Sequence, residues 1–129
     1  MIARLVAILA LTPTADHTGK EGYFVNASSG DAALVSAATD IPIGVITEGA
    51  PTTGKDSVAL PTFSGTVKVK VTATSPGTIA LGTYGTIKSD GTVQADAGTG
   101  SRVRVCRFAE AAAAGELAEA YLIEPLALS

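Results

Sequence analysis

Residues 66–72 read Thr-Val-Lys-Val-Lys-Val-Thr, so polar and apolar side chains alternate over seven positions. Successive side chains of an extended strand point to opposite faces, and a period of two sends the valines to one face and the lysines to the other. The stretch therefore predicts a half-buried β-strand with a charged row in water. Residues 102–105 (RVRV) repeat the pattern. The alternation of polar and apolar residues breaks at residues 106–108, which indicates a bulge or a strand end.

The rest of the chain consists of similar short runs, rich in Val, Ile, Thr and Leu, between clusters of Gly, Pro, Asp and Ser. This is the pattern of strands and turns. Asp90-Gly91 between two β-prone runs is a strong hairpin signal, because Asp and Gly tolerate a positive φ. Residues 108–120 (FAEAAAAGELAEA) are rich in helix formers, and we expect at most a short helical turn at residues 111–114. Further strands are predicted at residues 5–11, 22–25, 33–36, 43–48, 57–60 and 117–123.

The two halves of the chain resemble each other at a spacing of about 60 residues, which indicates an internal repeat over about residues 5–61 and 66–125. Residues 22–25 (GYFV) parallel residues 82–85 (GTYG), and residues 43–46 parallel residues 103–106. The fold class predicted from these patterns is all-β. We expect residues 1–129 to form a single domain, a small β-sandwich or β-barrel built from two similar β-units that share one core.

Composition excludes several classes of protein. The 129 residues are 47% hydrophobic and 16% charged, which argues against disorder, and a single Cys excludes a disulfide within the chain. A net charge of −3 argues against a nucleic-acid partner. No stretch approaches the ~20 apolar residues that cross a bilayer, so no membrane partner is expected. Residues 5–11 faintly resemble a signal-peptide core, but seven apolar residues without a small-x-small site favour a buried strand.

One loop comes close to a phosphate-binding motif. Residues 49–56 (GAPTTGKD) fit G-x-x-x-x-G-K up to the last position, where a Ser or Thr should ligate Mg²⁺. Asp56 stands there instead, and its carboxylate would repel phosphate. A strand, rather than the helix that the motif needs, is predicted to follow. We therefore interpret the loop as a strand connection whose glycine takes a positive φ.

The reactive side chains give no catalytic, metal-binding or cofactor-binding signature. His17 is the only histidine, so one chain cannot form a multi-histidine metal site, and its polar surroundings predict a solvated loop residue. Cys106 lies in a predicted strand and is interpreted as a small buried hydrophobic residue. Catalytic, metal and cofactor-binding residues are therefore expected to be absent, and the protein is expected not to be an enzyme.

Several segments together resemble the small capsid cement, or head decoration, proteins of tailed bacteriophages. They are residues 41–49 (IPIGVITEG), 54–61 (GKDSVALP), 81–84 (LGTY), 89–93 (SDGTV) and 109–117 (AEAAAAGEL). Such proteins often follow a G-V-A strand with an Ala-rich loop, a glycine and a second apolar strand. Here the first strand reads Gly44-Val45-Ile46, and its loop has Pro and Thr in place of the Ala run.

The resemblance implies a β-rich structural protein that binds the outer capsid surface of the virion. It implies the major capsid protein as partner and a homotrimer as the oligomeric state, with the protein made in the host cytoplasm. Two alternatives stay open. One is a surface-displayed binding module, for example for carbohydrate, with Tyr23, Tyr84 or Tyr121 as aromatic platform. The other is a small oligomeric β hydrolase in which His17 meets carboxylates of a neighbouring chain.

Overall fold

The computed structural model describes residues 8–62, 65–75 and 77–129, and over these residues the chain forms strands, turns and loops without a helix. The all-β prediction is therefore confirmed. No helix long and apolar enough to span a membrane occurs in the described ranges. The ten strands are β1 (Ile8–Leu11), β2 (Phe24–Ser28), β3 (Asp31–Leu34), β4 (Gly44–Glu48), β5 (Asp56–Ala59), β6 (Val67–Lys70), β7 (Tyr84–Ile87), β8 (Val93–Ala95), β9 (Arg102–Phe108) and β10 (Leu117–Leu128).

The strands form two antiparallel sheets with the same topology. The first sheet has the order β1-β5-β4-β2-β3 and the second has the order β6-β10-β9-β7-β8. When the strands of the second sheet are numbered from one, the two orders are identical. We call residues 8–62 the first unit and residues 65–129 the second unit. The prediction of two similar β-units is confirmed at the level of strand order.

Backbone hydrogen bonds give the correspondence between the two units. The N–H of Gly22 donates to the Ile46 carbonyl, and the N–H of Gly82 donates to the Phe108 carbonyl. Gly22 and Gly82 therefore correspond, as predicted, and Ile46 corresponds to Phe108. At Ile46 the predicted match of residues 43–46 with 103–106 is out by two positions, and an extra residue in β9 accounts for one of the two. Val105 is that residue, since the β7 partners change from Gly85–Cys106 to Thr86–Arg104 around it.

The two sheets share one hydrophobic core. Val45 of the first sheet and Val69, Val105 and Phe108 of the second belong to the same buried cluster. A smaller cluster around Val25 lies within the first unit. Burying both inner faces in one core gives a 129-residue chain more apolar contact than either unit could form alone.

Glycine allows the two units to approach closely at their boundary. The N–H of Lys70 donates to the Gly22 carbonyl at 2.9 Å, and the N–H of Phe24 donates to the Gly91 carbonyl at 2.9 Å. Both glycines have a positive φ, of 85° and 87°. A Cβ at Gly22 would lie 2.7 Å from the Lys70 backbone nitrogen, so this contact excludes any side chain.

Several local predictions can be compared directly with the strands. The hairpin around Asp90-Gly91 is confirmed by the pairing of β7 with β8. Residues 111–114 were expected to form at most a short helical turn, and they form none, because Ala112 exchanges backbone hydrogen bonds with Ile79 instead. Residues 8–11 form the predicted strand, but β1 is a half-exposed edge strand and not a buried one. The prediction for residues 5–7 lies outside the described residues.

Candidate functional site

The outer face of the second sheet carries an unusual set of arginines. Alternation along β9 buries Val103 and directs Arg102 and Arg104 outward. The bulge at Val105 then shifts the alternation, so that Cys106 and Phe108 are buried and Arg107 is exposed. The break in alternation predicted at residues 106–108 thus follows from the bulge at Val105. The bulge keeps Arg102, Arg104 and Arg107 on the same face of β9.

Two rows of side chains cross this face. Arg107 pairs with Tyr84 of β7 on one side and with Tyr121 of β10 on the other. Arg104 pairs with Thr86 and with Leu126 in the same way. Directly paired residues of antiparallel strands point to the same face, so each arginine stands next to an exposed apolar side chain. The exposed fractions of Tyr121 and Leu126 are 52% and 49%. We call Tyr84, Arg104, Arg107, Tyr121 and Leu126 the outer patch.

An ion-pair cluster fixes one end of the outer patch. Asp96 accepts hydrogen bonds from the Nε atoms of Arg102 and Arg104, the latter at 2.5 Å, and from the N–H of Gly98. Burial alone would raise the pKa of Asp96, but these hydrogen bonds and positive charges outweigh it and lower the pKa to about 2. Asp96 is therefore an anion at neutral pH and holds the side chains of both arginines.

The ring of Tyr84 is covered by guanidinium groups. The Cζ atoms of Arg104 and Arg107 lie 4.4 Å and 5.2 Å from the ring centroid, within the range of cation–π contact. The Nε of Arg107 also donates to the Gly82 carbonyl at 3.0 Å. Tyr84 thus supports two arginines and does not present a bare ring, as the aromatic platform of a carbohydrate site would.

His17 is not the solvated loop residue that its neighbours in sequence predict. Its side chain is 1% exposed, and its Nδ1 lies 2.5 Å from Oδ2 of Asp56, which is fully buried. The other carboxylate oxygen of Asp56 accepts the N–H of Ala50 at 2.9 Å, while the N–H of His17 donates to the Ala50 carbonyl. Asp56 is the first residue of β5 and lies 39 residues from His17 in the sequence. No local sequence pattern could therefore predict that the two side chains meet.

The second unit shows what this buried pair replaces. Ile79 donates to the Ala112 carbonyl as His17 donates to the Ala50 carbonyl, so Ile79 corresponds to His17. Val58 pairs with Ile46 and Ala120 pairs with Phe108, which makes Ala118 the counterpart of Asp56. Both Ile79 and Ala118 are buried apolar residues. The first unit therefore holds a polar pair where the second unit is apolar.

The other two features considered in the sequence analysis, Cys106 and the loop at residues 49–56, lie in surroundings that indicate a structural role. Cys106 is buried, as predicted, and burial raises the pKa of its thiol to about 12. The loop that resembles a phosphate-binding motif leads into β5 and not into a helix. Its glycines, Gly49 and Gly54, do not have a positive φ, contrary to the prediction.

Two cavities do not involve these reactive groups. One, of about 440 Å³, lies in the second unit and is lined by Thr78, Thr83 and Gln94 among others. The other, of about 390 Å³, lies at the boundary of the units between Ile46 and Leu117. Neither set of described lining residues includes His17, Asp56 or Cys106. Within the described part of the chain, no three His, Cys, Asp or Glu side chains are grouped so as to hold a metal ion.

Exposed apolar side chains are concentrated on β10. Among the described residues, the large hydrophobic side chains that are exposed are Ile8, Ile41, Leu81, Leu117, Tyr121 and Leu126. Three of these six belong to β10. The edge strand β6 pairs only with residues 117–120 of β10. The remainder of β10 therefore pairs with β9 on one side and has no described strand partner on its other side.

No protein-family model matches the chain, and no curated protein matches it either.

Proposed function

We propose that this chain is a structural cement, or decoration, protein that binds the outer surface of an assembled phage head through the major capsid protein. The observation that carries the proposal is the row of exposed apolar residues on β10, next to a sheet edge without a described strand partner. Exposed apolar surface on a small domain is typical of a protein-binding face. The segments that resemble decoration proteins support the same function.

In this proposal the protein acts as a homotrimer. A second edge strand, β1, exposes Ile8 and lies in the other sheet, so one subunit offers two separate strand edges for contacts. Contacts with several neighbouring capsid subunits add avidity without a single strong contact. A protein that binds only the assembled shell stabilises that shell by linkage.

Co-sedimentation tests the proposal. Purified protein is mixed with empty unexpanded heads and with expanded heads assembled from the major capsid protein encoded with this chain, and the mass of the free protein is measured in parallel. We expect saturable binding to expanded heads and a higher melting temperature of the decorated heads. Absence of binding to both kinds of head would refute the proposal.

The alternatives have weaker support. The carbohydrate-binding alternative named Tyr84 among three tyrosines, and the Tyr84 ring is in contact with Arg104 and Arg107. The hydrolase alternative expected His17 to meet a carboxylate of a neighbouring chain. His17 does meet a carboxylate, but this carboxylate is Asp56 of the same chain, and both side chains are buried. A substrate would have to open the core to reach them.

A further inference from the structure

We propose that the outer patch binds carboxylate side chains on an acidic protein surface, with Arg104 and Arg107 as the groups that receive them. This inference rests on the proposed function for the identity of the partner, which would be the capsid surface. The binding chemistry itself follows from the patch.

The two guanidinium groups are held in place before any partner arrives. The Nε of Arg104 is bound to Asp96, the Nε of Arg107 is bound to the Gly82 carbonyl, and both groups lie against the Tyr84 ring. Their terminal nitrogens make no hydrogen bond to the described residues, so the outer edges of both forks remain available as donors. Two planar donors of this kind match the geometry of carboxylates. Because the side chains are already ordered, less conformational entropy is lost on binding.

The charge of the patch differs in sign from that of the rest of the chain. The two arginines of the outer patch carry a charge of +2, and the charges of Arg102 and Asp96 beside the patch cancel. The whole chain carries −3, which leaves −5 for all other residues. Because Asp96 stays ionised down to low pH, the charge of +2 is constant over the physiological range. An acidic partner is therefore attracted to this face in preference to the others.

The apolar members of the patch favour a protein over a nucleic acid. Tyr121 stands beside Arg107 and Leu126 beside Arg104, in the two rows across β9 and β10. Tyrosine and arginine are, with tryptophan, the residues most enriched at the energetic centres of protein interfaces. A nucleic acid would gain little from the exposed Leu126 and would meet the charge of −5 elsewhere on the chain.

Peptide titrations test this inference on the full chain. The probes are two capped hexapeptides, one alternating Glu with Val and the other alternating Gln with Val, followed by amide chemical shifts at low salt. We expect the Glu peptide to bind about ten times more tightly, with the largest shifts at residues 84, 104, 107, 121 and 126. Equal binding of the two peptides, or shifts centred elsewhere, would overturn the proposal.

Variants of equal net charge separate the effect of the outer patch on binding from the effect of the net charge of the chain. The double variant Arg104→Gln/Arg107→Gln and the control Lys55→Gln/Lys68→Gln each remove two positive charges, so both change the net charge from −3 to −5. Lys55 and Lys68 are exposed and lie outside the patch. We expect the first to lose about tenfold in affinity for the Glu peptide and the control to lose less than about twofold. Equal losses would contradict the inference.

Two further measurements control for misfolding of the variants and for binding of other anions. Arg107→Glu leaves the Asp96 cluster intact, and it should lower the affinity for the Glu peptide about tenfold while its thermal unfolding stays cooperative. Inorganic phosphate and a single-stranded oligonucleotide of the same charge as the Glu peptide should bind more weakly than that peptide. Tighter binding of the oligonucleotide would show a nucleic-acid site and would overturn the assignment. Co-sedimentation with heads needs no peptide, so failure of the proposed function and failure of this inference can be told apart.

Discussion

Nδ1 of His17 and Oδ2 of Asp56 are 2.5 Å apart in the core of the first unit, at the place where the second unit holds Ile79 and Ala118. Asp56 also accepts the N–H of Ala50, whereas the corresponding N–H of Ala112 donates to the Ile79 carbonyl. A side-chain carboxylate thus does in one unit what a backbone carbonyl does in the other. The pair therefore fills a structural place in the first unit that backbone and apolar groups fill in the second.

Replacing one member of this pair should be worse than replacing both. Asp56→Ala leaves the His17 ring and the Ala50 N–H without their acceptor in the core, and we expect it to lower the free energy of unfolding by about 3 kcal/mol. The double variant His17→Ile/Asp56→Ala copies the second unit and should recover most of that loss. Urea unfolding of the wild type, Asp56→Ala, His17→Ile and the double variant gives the coupling energy. Additive losses would contradict the proposed equivalence of the two units.

The contact between the units can be tested with two glycines of similar φ. Gly22 (φ 85°) faces the backbone of Lys70, whereas Gly19 (φ 79°) has no other atom within 4 Å of a built Cβ. Both alanine variants have the cost of a positive φ, about 1 kcal/mol. Gly22→Ala should cost at least about 2 kcal/mol more, because the units must separate to admit the methyl group. Equal melting temperatures would argue against the close approach.

Acid should weaken the cluster that fixes Arg102 and Arg104. The pKa of Asp96 in the folded protein is about 2, below its ordinary value of 3.8, so folding favours the ionised form. The contribution to stability is complete above about pH 5 and is lost as the pH falls towards 2; the shift corresponds to about 2 kcal/mol. Asp96→Asn should flatten the pH dependence of the free energy of unfolding in this window. An unchanged slope in the variant would assign the effect to other carboxylates.

Cys106 should be inert in the folded protein. Burial raises the pKa of its thiol to about 12, so almost no thiolate exists at neutral pH. A thiol reagent should label the native protein at the rate of unfolding and should label one thiol at once in denaturant. Rapid labelling of the native protein would mean that β9 opens at the bulge, and the described packing around Cys106 would then be wrong.

The sequence predicted the features that depend on neighbouring residues. Alternation placed β6 and β9, and Asp90-Gly91 placed the hairpin, because strand faces and tight turns follow from local chemistry. Helix propensity allowed at most a helical turn at the Ala-rich residues 111–114, and tertiary pairing of Ala112 with Ile79 gives an extended backbone there instead.

The features that depend on contacts distant in sequence could not be predicted. His17 and Asp56 are 39 residues apart, and no local pattern distinguishes a buried histidine from one in a solvated loop. The outer patch likewise requires the pairing of β7, β9 and β10, since Tyr84, Arg107 and Tyr121 come together only when these strands are adjacent. The slip of alternation near Cys106 was a sign of the bulge, but not of the arginine surface that the bulge creates.

The central claim is that the protein acts through the outer face of its second sheet and not through its reactive groups. Co-sedimentation with expanded heads tests it most directly when two variants are compared, Tyr121→Ser/Leu126→Ser on the face and His17→Ile/Asp56→Ala in the core. We expect the face variant to lose most of its head binding while it remains folded, and the core variant to bind as the wild type does. The opposite result, with binding retained by the face variant and lost by a folded core variant, would contradict it.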